Sequence, residues 1–275
     1  MRGKPDVMQM SGSTIMVTGA SGGIGRAIAL ELAGAGAKVV AVARSEDALQ
    51  EVADAADGAV RWVSTDLTDS DARRRLFEEV PPSELDAIVN NAGAAWVGSF
   101  LDMSEEDAFG AIELNLGSLV AVCKAVVGPM LERGSGHIVN IGSILGFAPG
   151  PPLTMYSATK AAVHAFTEGL RRELVGSDVR VTLVAPGPVK ETGALDQPGD
   201  EETTRTLQRA FDTFGTTPEE VAKAVRVALE RGAKPSTRTI TVPRIAGLSR
   251  VASIPGADWA MDQGFGLLRR AGVKV

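Results

Sequence analysis

Thr18-Gly19-Ala20-Ser21-Gly22-Gly23-Ile24-Gly25 is the stretch that decides the fold. A β-rich apolar run over 14–18 leads into it, and a helical pattern over 24–35 leads out. Glycines permit a tight turn, let a bound group approach the backbone, and bring helix close to strand. The helix that follows offers free amides and the positive end of its dipole to a phosphate. Read this way, Gly19, Ser21, Gly22, Gly23, Ile24 and Gly25 are cofactor-binding residues at the start of a dinucleotide-binding unit. A glycine cluster also serves as a plain strand-to-helix connection, so its meaning depends on the rest of the chain.

Outward from this turn, short β-rich apolar runs alternate with helical patterns. Strands are expected at 14–18, 38–43, 60–64, 87–90, 137–141, 179–185 and 237–242. Helices are expected at 24–35, 45–56, 69–79, 104–132, 155–175 and 218–231. Ser104-Glu105-Glu106-Asp107 reads as an N-cap with acids in the first turn. Thr217-Pro218-Glu219-Glu220 is a similar start, with Pro at the first helical position. Strands that are uniformly apolar and separated by helices imply a parallel sheet covered on both faces. The expectation is α/β: a single-domain Rossmann-like doubly wound fold of about seven parallel strands flanked by helices on both faces. That catalytic domain is placed at 13–243, after a flexible N-terminus at 1–12 and before a C-terminal extension at 244–275 packed on the same domain. The polar, threonine-rich segment 190–215 escapes the alternation and is expected to be a mobile substrate lid.

Composition excludes several functions. The 275 residues carry a net charge of −6 without a basic cluster, which disfavours nucleic-acid binding. One cysteine, Cys123, rules out an internal disulfide and a cysteine metal cluster, which suits a reducing, cytoplasmic setting. Only two histidines, His137 and His164, make a histidine metal site improbable, and no metal is expected. Residues 1–13 lack an apolar core of signal-peptide length, and no uncharged apolar run approaches the ~18 residues of a membrane span.

Tyr156-Ser157-Ala158-Thr159-Lys160 carries the chemistry, and Tyr156 is the only tyrosine in the chain. Spacing of four on a helix puts phenol and ammonium on one face. The ammonium favours phenolate and is expected to lower the tyrosine from its ordinary ~10, as proton transfer near neutral pH requires. At the end of the second strand stand Arg44 and Ser45, where an acid would hold a ribose 2′-hydroxyl and an Arg suits a 2′-phosphate. NADP(H) is therefore the expected cofactor.

Taken together these motifs resemble the short-chain dehydrogenase/reductase family over about residues 14–192. The spacing of Gly19, Gly23 and Gly25 resembles its cofactor turn. Asp66-Leu67 resembles its adenine-contacting pair, and Asn90-Asn91-Ala92-Gly93 matches its signature after the fourth strand. Asn115, Ser143, Tyr156 and Lys160 match its catalytic tetrad in order and spacing, and Pro186-Gly187 its nicotinamide-side turn. The resemblance implies that Ser143 polarises a carbonyl, Tyr156 exchanges the proton, Lys160 also binds the nicotinamide ribose, and Asn115 holds a relay water. It implies cofactor contacts at Asn91, Ala92, Gly93, Pro186, Gly187 and Val189.

The chain departs from the family where Pro186-Gly187-Pro188-Val189-Lys190-Glu191-Thr192 puts Glu191 at the usual threonine position. Either Thr192 reaches the carboxamide or backbone groups such as Val189 do so. The tail resembles that of relatives acting on bulky hydrophobic carbonyls, and is expected to cap the cleft or pair subunits. Apolar residues near Ser143 (Ile144, Leu145, Phe147, Pro149, Pro151, Pro152, Leu153) favour a hydrophobic ketone or alcohol, steroid-, acyl- or polyketide-like. Trp96 either lines that cleft or covers the sheet edge, His164 is expected to pack at a contact, and Cys123 to be a buried hydrophobe. The function expected is an NADP(H)-dependent oxidoreductase on a small-molecule carbonyl or alcohol, as homodimer or homotetramer. The alternative is a non-catalytic NADP(H)-binding regulator on the same fold.

Overall fold

The computed structural model describes residues 8–190, 193, 195, 199–231 and 239–243. Among these, seven strands form one fully parallel sheet in the order β3-β2-β1-β4-β5-β6-β7. They are β1 (Thr14–Thr18), β2 (Lys38–Ala43), β3 (Val60–Ser64), β4 (Ala87–Asn90), β5 (Gly136–Ile141), β6 (Val179–Pro186) and β7 (Thr239–Val242). Eight α-helices accompany them: α1 (Gly23–Gly34), α2 (Glu46–Asp54), α3 (Ser70–Glu79), α4 (Glu105–Ile112), α5 (Ser118–Arg133), α6 (Thr154–Glu173), α7 (Glu201–Phe214) and α8 (Pro218–Arg231). The doubly wound α/β expectation holds.

Alternation of side chains along each strand feeds two cores, one per face. Ile15, Val17, Val39, Val89 and Val139 pack with Ile28 and Leu32 of α1 and Val221, Val225 and Leu229 of α8. Met16, Val40, Ile88, Ile138 and Val181 pack with Leu119, Val122, Val126 and Met130 of α5 and Val163 of α6. Cys123 is buried in this second core, where burial pushes its thiol up to about 12. It is an inert small hydrophobe.

Three expectations need correction. The helix expected over 104–132 is interrupted: a π-helical turn, Glu113–Gly117, joins α4 to α5 and contains Asn115. By length and composition the whole rod could cross a membrane. Its apolarity is instead that of a helix packed on the sheet, through Leu119, Val122, Val126 and Met130. Second, the segment expected as a mobile loop at 190–215 contains α7, capped by the Asp200 carboxylate on the Thr203 amide at 2.7 Å. Third, the end of the expected flexible N-terminus is packed. Met10 is buried, and the Gly12 amide donates to the Gly36 carbonyl at 3.2 Å. The 244–275 extension and positions 237–238 lie outside the described residues.

Strand order reverses between β1 and β4, which open the sheet at their carboxyl ends because their connections run to opposite sides. That crevice is the site.

Candidate active site

An elongated cavity of about 750 Å³ runs from the β1–α1 turn to the start of α6. At one end it is lined by Gly19, Ser21, Gly22, Ile24, Gly25, Arg44, Ser45, Asp66 and Leu67. Asn91, Ala92, Gly93, Pro186, Gly187 and Val189 line its middle, with Ser143, Tyr156 and Lys160. Of the expected cofactor residues, Gly23 is not among those lining the cavity, and Thr192 lies outside the described residues.

The glycine turn is held from β4. The Asn91 side-chain amide donates to the carbonyls of Thr18 at 3.0 Å and Gly19 at 3.2 Å. Thr18 returns the link, its hydroxyl oxygen accepting the amides of Asn91 and Ala92, each at 3.0 Å. A Cβ on Gly25 would lie inside the Gly19 carbonyl and 2.6 Å from the Asn91 amide nitrogen. Gly22 caps α1 without a side-chain hydrogen bond, so no side chain competes for the first-turn amides. An uncapped helix start behind a glycine cradle is what a pyrophosphate requires, and these residues fit a dinucleotide. Thr18 was missed in the sequence, although a threonine ending a strand beside the glycine turn is a readable signal.

Arg44 is exposed at the cavity rim, and its carbonyl accepts the Ser64 hydroxyl at 3.0 Å. Ser45 is the N-cap of α2, accepting the Ala48 amide at 3.4 Å, which leaves its hydroxyl proton free to donate. The Asp66 carboxylate accepts from the Thr68 hydroxyl at 2.7 Å and amide at 2.9 Å. These bonds, with Arg44 nearby, hold its carboxyl below the usual range. On the other side, Val189 bridges Thr216 in parallel register. The bonds flanking it, Lys190 amide to Thr216 carbonyl and Thr216 amide to Pro188 carbonyl, are both 3.0 Å. Val189's own amide and carbonyl therefore point away from Thr216.

At the chemical end, α6 carries Tyr156 and Lys160 on one face, with the ammonium 5.6 Å from the phenol ring centroid. Lys160 is buried and donates to the Ile141 carbonyl at 3.1 Å. Burial lowers it from 10.5 to about 8. Tyr156 is hydrogen-bonded to the Ser143 side chain. Burial raises its phenol above 10.0, and the Ser143 bond opposes that rise. The expectation that Lys160 lowers Tyr156 is corrected here: desolvation dominates both groups, and the serine is what acidifies the phenol.

Asn115 is buried and spends its side chain as a brace. Its oxygen accepts the Ala94 amide at 2.8 Å, while its amide donates to the Ala94 carbonyl at 2.9 Å and the Thr159 hydroxyl at 3.0 Å. A Cβ on Gly93 would meet the Asn115 oxygen at 2.9 Å and Lys160 Nζ at 3.4 Å, so both groups converge on that glycine. Asn115 thus ties the segment after β4 to α6.

Beyond Tyr156 the cavity wall is apolar among the described residues: Ile144, Leu145, Pro152, Leu153, Leu207 and Phe211. Leu207 and Phe211 come from α7 and were missed while that segment read as a loop. Phe147, Pro149 and Trp96 do not line the cavity. Phe147 stacks on His164 at 4.2 Å between centroids, and Trp96 folds over Gly98. Among the described residues no group of three or more His, Cys, Asp or Glu could hold a metal ion.

A parallel sheet with a glycine cradle at its switch point and a Tyr–Lys helix beside it defines a dinucleotide-dependent oxidoreductase. The family model described as "short chain dehydrogenase" matches residues 13–203, and the chain belongs to that family. It is 40% identical over 216 residues to an uncharacterized short-chain type dehydrogenase/reductase of Sinorhizobium fredii, covering 78% of this chain and 84% of the relative. A short-chain dehydrogenase/reductase from Burkholderia phymatum in complex with NAD superposes with a TM-score of 0.79 at 27% identity, over 88% of this chain and 93% of that one. The closed form of a serine dehydrogenase complexed with NADP+ superposes with a TM-score of 0.74 at 31% identity, over 83% and 93%.

Proposed function

We propose that the protein is an NADP(H)-dependent oxidoreductase interconverting a carbonyl and a secondary alcohol (the CH–OH class), with Asn115, Ser143, Tyr156 and Lys160 as its catalytic set. The observation that carries this reading is the Ser143–Tyr156 hydrogen bond at the mouth of an apolar chamber, with the buried Lys160 behind it. When bound, the dinucleotide supplies or accepts a hydride at its nicotinamide ring. The chain's own residues handle the oxygen. Ser143 donates a hydrogen bond to the carbonyl oxygen and polarises it. Tyr156 gives that oxygen its proton in reduction and takes it back in oxidation. Lys160, at about 8, keeps a largely charged ammonium near neutral pH to balance the phenolate that is left. Asn115 holds the wall against which Lys160 is set, and a relay water is assigned to it by family likeness.

Arg44 and Ser45 support a 2′-phosphate, hence NADP(H), since neighbours complexed with NAD and with NADP+ leave the choice to the residues at the rim. Asp66 and Leu67 are assigned to the adenine, Asn91 to Gly93 to the ribose side, and Pro186, Gly187 and Val189 to the carboxamide through backbone groups, with Thr192 a further candidate. The apolar wall supports a hydrophobic ketone or alcohol, steroid-, acyl- or polyketide-like. Among the described residues, those side chains offer no partner to the charges of a zwitterionic amino acid. A homodimer or homotetramer is supported by Phe109, 62% exposed, and the exposed Val120 on the α4–α5 rod. A reducing, cytoplasmic setting is supported by the lone cysteine.

The test is NADPH and NADH consumption over a panel of apolar ketones, charged keto acids and serine with NADP+. Faster turnover of apolar ketones with NADPH is the expected result. Tight NADPH binding without turnover across the panel would instead support a non-catalytic regulator.

A further inference from the structure

The loop that presents Ser143 rests on one side chain that plays no part in the mechanism above. Ser143 follows β5 and caps a 3₁₀ turn, Ile144–Gly146, its side-chain oxygen accepting the Leu145 amide at 3.2 Å. Behind it lies His164, on α6 one turn beyond Lys160 and two beyond Tyr156. The Ser143 backbone amide donates to His164 Nε2 at 3.4 Å. On the other side Phe147, which follows the same turn, stacks on the imidazole at 4.2 Å between centroids, tilted by 45°.

The two glycines of this loop are shaped to that ring. A Cβ on Gly146 would lie 2.5 Å from His164 Cε1, and one on Gly142 would overlap Nε2. Neither glycine has the left-handed backbone that would otherwise call for the residue type. Their small size leaves room for the imidazole against the loop that carries Ser143. Accepting the amide requires that Nε2 be a ring nitrogen without a proton.

We propose that His164 is a positioning residue for Ser143, anchoring its backbone from α6 so that its hydroxyl stays beside the Tyr156 phenol, from which its one proton can turn to the substrate oxygen. The same helix then fixes both partners of the hydroxyl pair: Tyr156 directly, and Ser143 through the imidazole. Because a displacement of about 1 Å in a reacting group can cost up to 10²-fold in rate, a weak backbone anchor suffices to matter. The inference rests on the proposed Ser143–Tyr156 chemistry.

The experiment compares His164→Leu, which fills the space without an acceptor, with His164→Gln, which restores an acceptor near the Nε2 position. As the chain has one tyrosine, tyrosinate absorption in a pH titration reads Tyr156 alone. Turnover is followed with NADPH and the best apolar ketone of the panel. His164→Leu is expected to lower kcat about tenfold with KM and NADPH affinity within about twofold, and to move the tyrosinate midpoint upward as the Ser143 bond is lost. His164→Gln is expected to recover most of kcat and the wild-type midpoint. Gly146→Ala presses on the ring from the loop without altering α6, and should reproduce the kcat loss if the Leu variant folds poorly. Leu and Gln variants that behave alike, a loss confined to KM, or an unchanged kcat in Gly146→Ala would each overturn the proposal. Tyr156→Phe separates the two levels. If it is inactive while Leu and Gln agree, only the role of His164 fails; if it turns over normally, the chemistry beneath it fails as well.

Discussion

The two ends of the cavity are built on opposite principles. Around the glycine turn of the nucleotide end the surface is backbone: glycines, helix amides and carbonyls cross-tied by Thr18 and Asn91. At the substrate end it is side chain: leucine, isoleucine, proline and phenylalanine from the β5 loop and α7. Backbone contacts tolerate almost no added atom, whereas an apolar wall changes its shape with each substitution and keeps its chemistry. A fold can therefore hold one cofactor and accept many substrates. The nucleotide end also reads directly from sequence, because only glycine meets its constraint.

Four substitutions would break or sharpen this contrast. Gly25→Ala should be the most damaging, since its Cβ enters the Gly19 carbonyl. A cost of about 3 kcal/mol corresponds to roughly a hundredfold weaker NADPH binding by fluorescence titration. Near-normal affinity would mean that the turn is not the cradle.

Lys160→Met tests burial at the junction of the two ends. Lys160 falls from 10.5 in the ordinary state to about 8 when buried. A base with a depressed folded value contributes stability fully above its unfolded value and loses it as pH falls through its folded value. The wild type should therefore gain up to roughly 3 kcal/mol relative to Lys160→Met as pH rises from about 8 to about 10.5. Urea denaturation of both proteins across that window checks this, and parallel curves would place the ammonium in solvent.

Arg44→Asp should shift the ratio of kcat/KM for NADPH over NADH by roughly ten- to a hundredfold toward NADH, in line with about 1.5–3 kcal/mol for a charged hydrogen bond. An unchanged ratio would remove Arg44 from cofactor choice. Phe211→Ala should have the smallest effect, raising KM for a bulky ketone by about 1–2 kcal/mol with kcat and NADPH affinity little changed. A loss in kcat instead would make α7 part of the chemistry.

The sheet was legible because its strands are uniform apolar runs of ordinary length, and the crossover helices carry readable caps such as Ser104 and Thr217. What escaped has physical reasons. The π turn at Asn115 leaves the helical pattern intact while shifting its register, so periodicity passes over it. The helix α7 hid behind threonines and acids. Its start at Asp200-Glu201-Glu202 repeats the cap pattern seen at Ser104, and Leu207 and Phe211 sit at helical spacing. Spacing put Tyr156 and Lys160 on one face but could not show the desolvation that both meet there, which reverses the expected direction for the phenol. The role given to His164 depends on Gly142 and Gly146 arriving from another element, which no local pattern encodes.

Tyr156→Phe, assayed by NADPH oxidation against the panel carbonyl that the wild type reduces fastest, tests the central claim most directly. With Ser143, Lys160 and the nucleotide end untouched, NADPH affinity and melting temperature should stay at wild-type values. Removing the proton donor should lower kcat by about 10²–10⁴-fold. Turnover equal to the wild type would contradict the assignment of Tyr156 as the group that protonates the carbonyl oxygen.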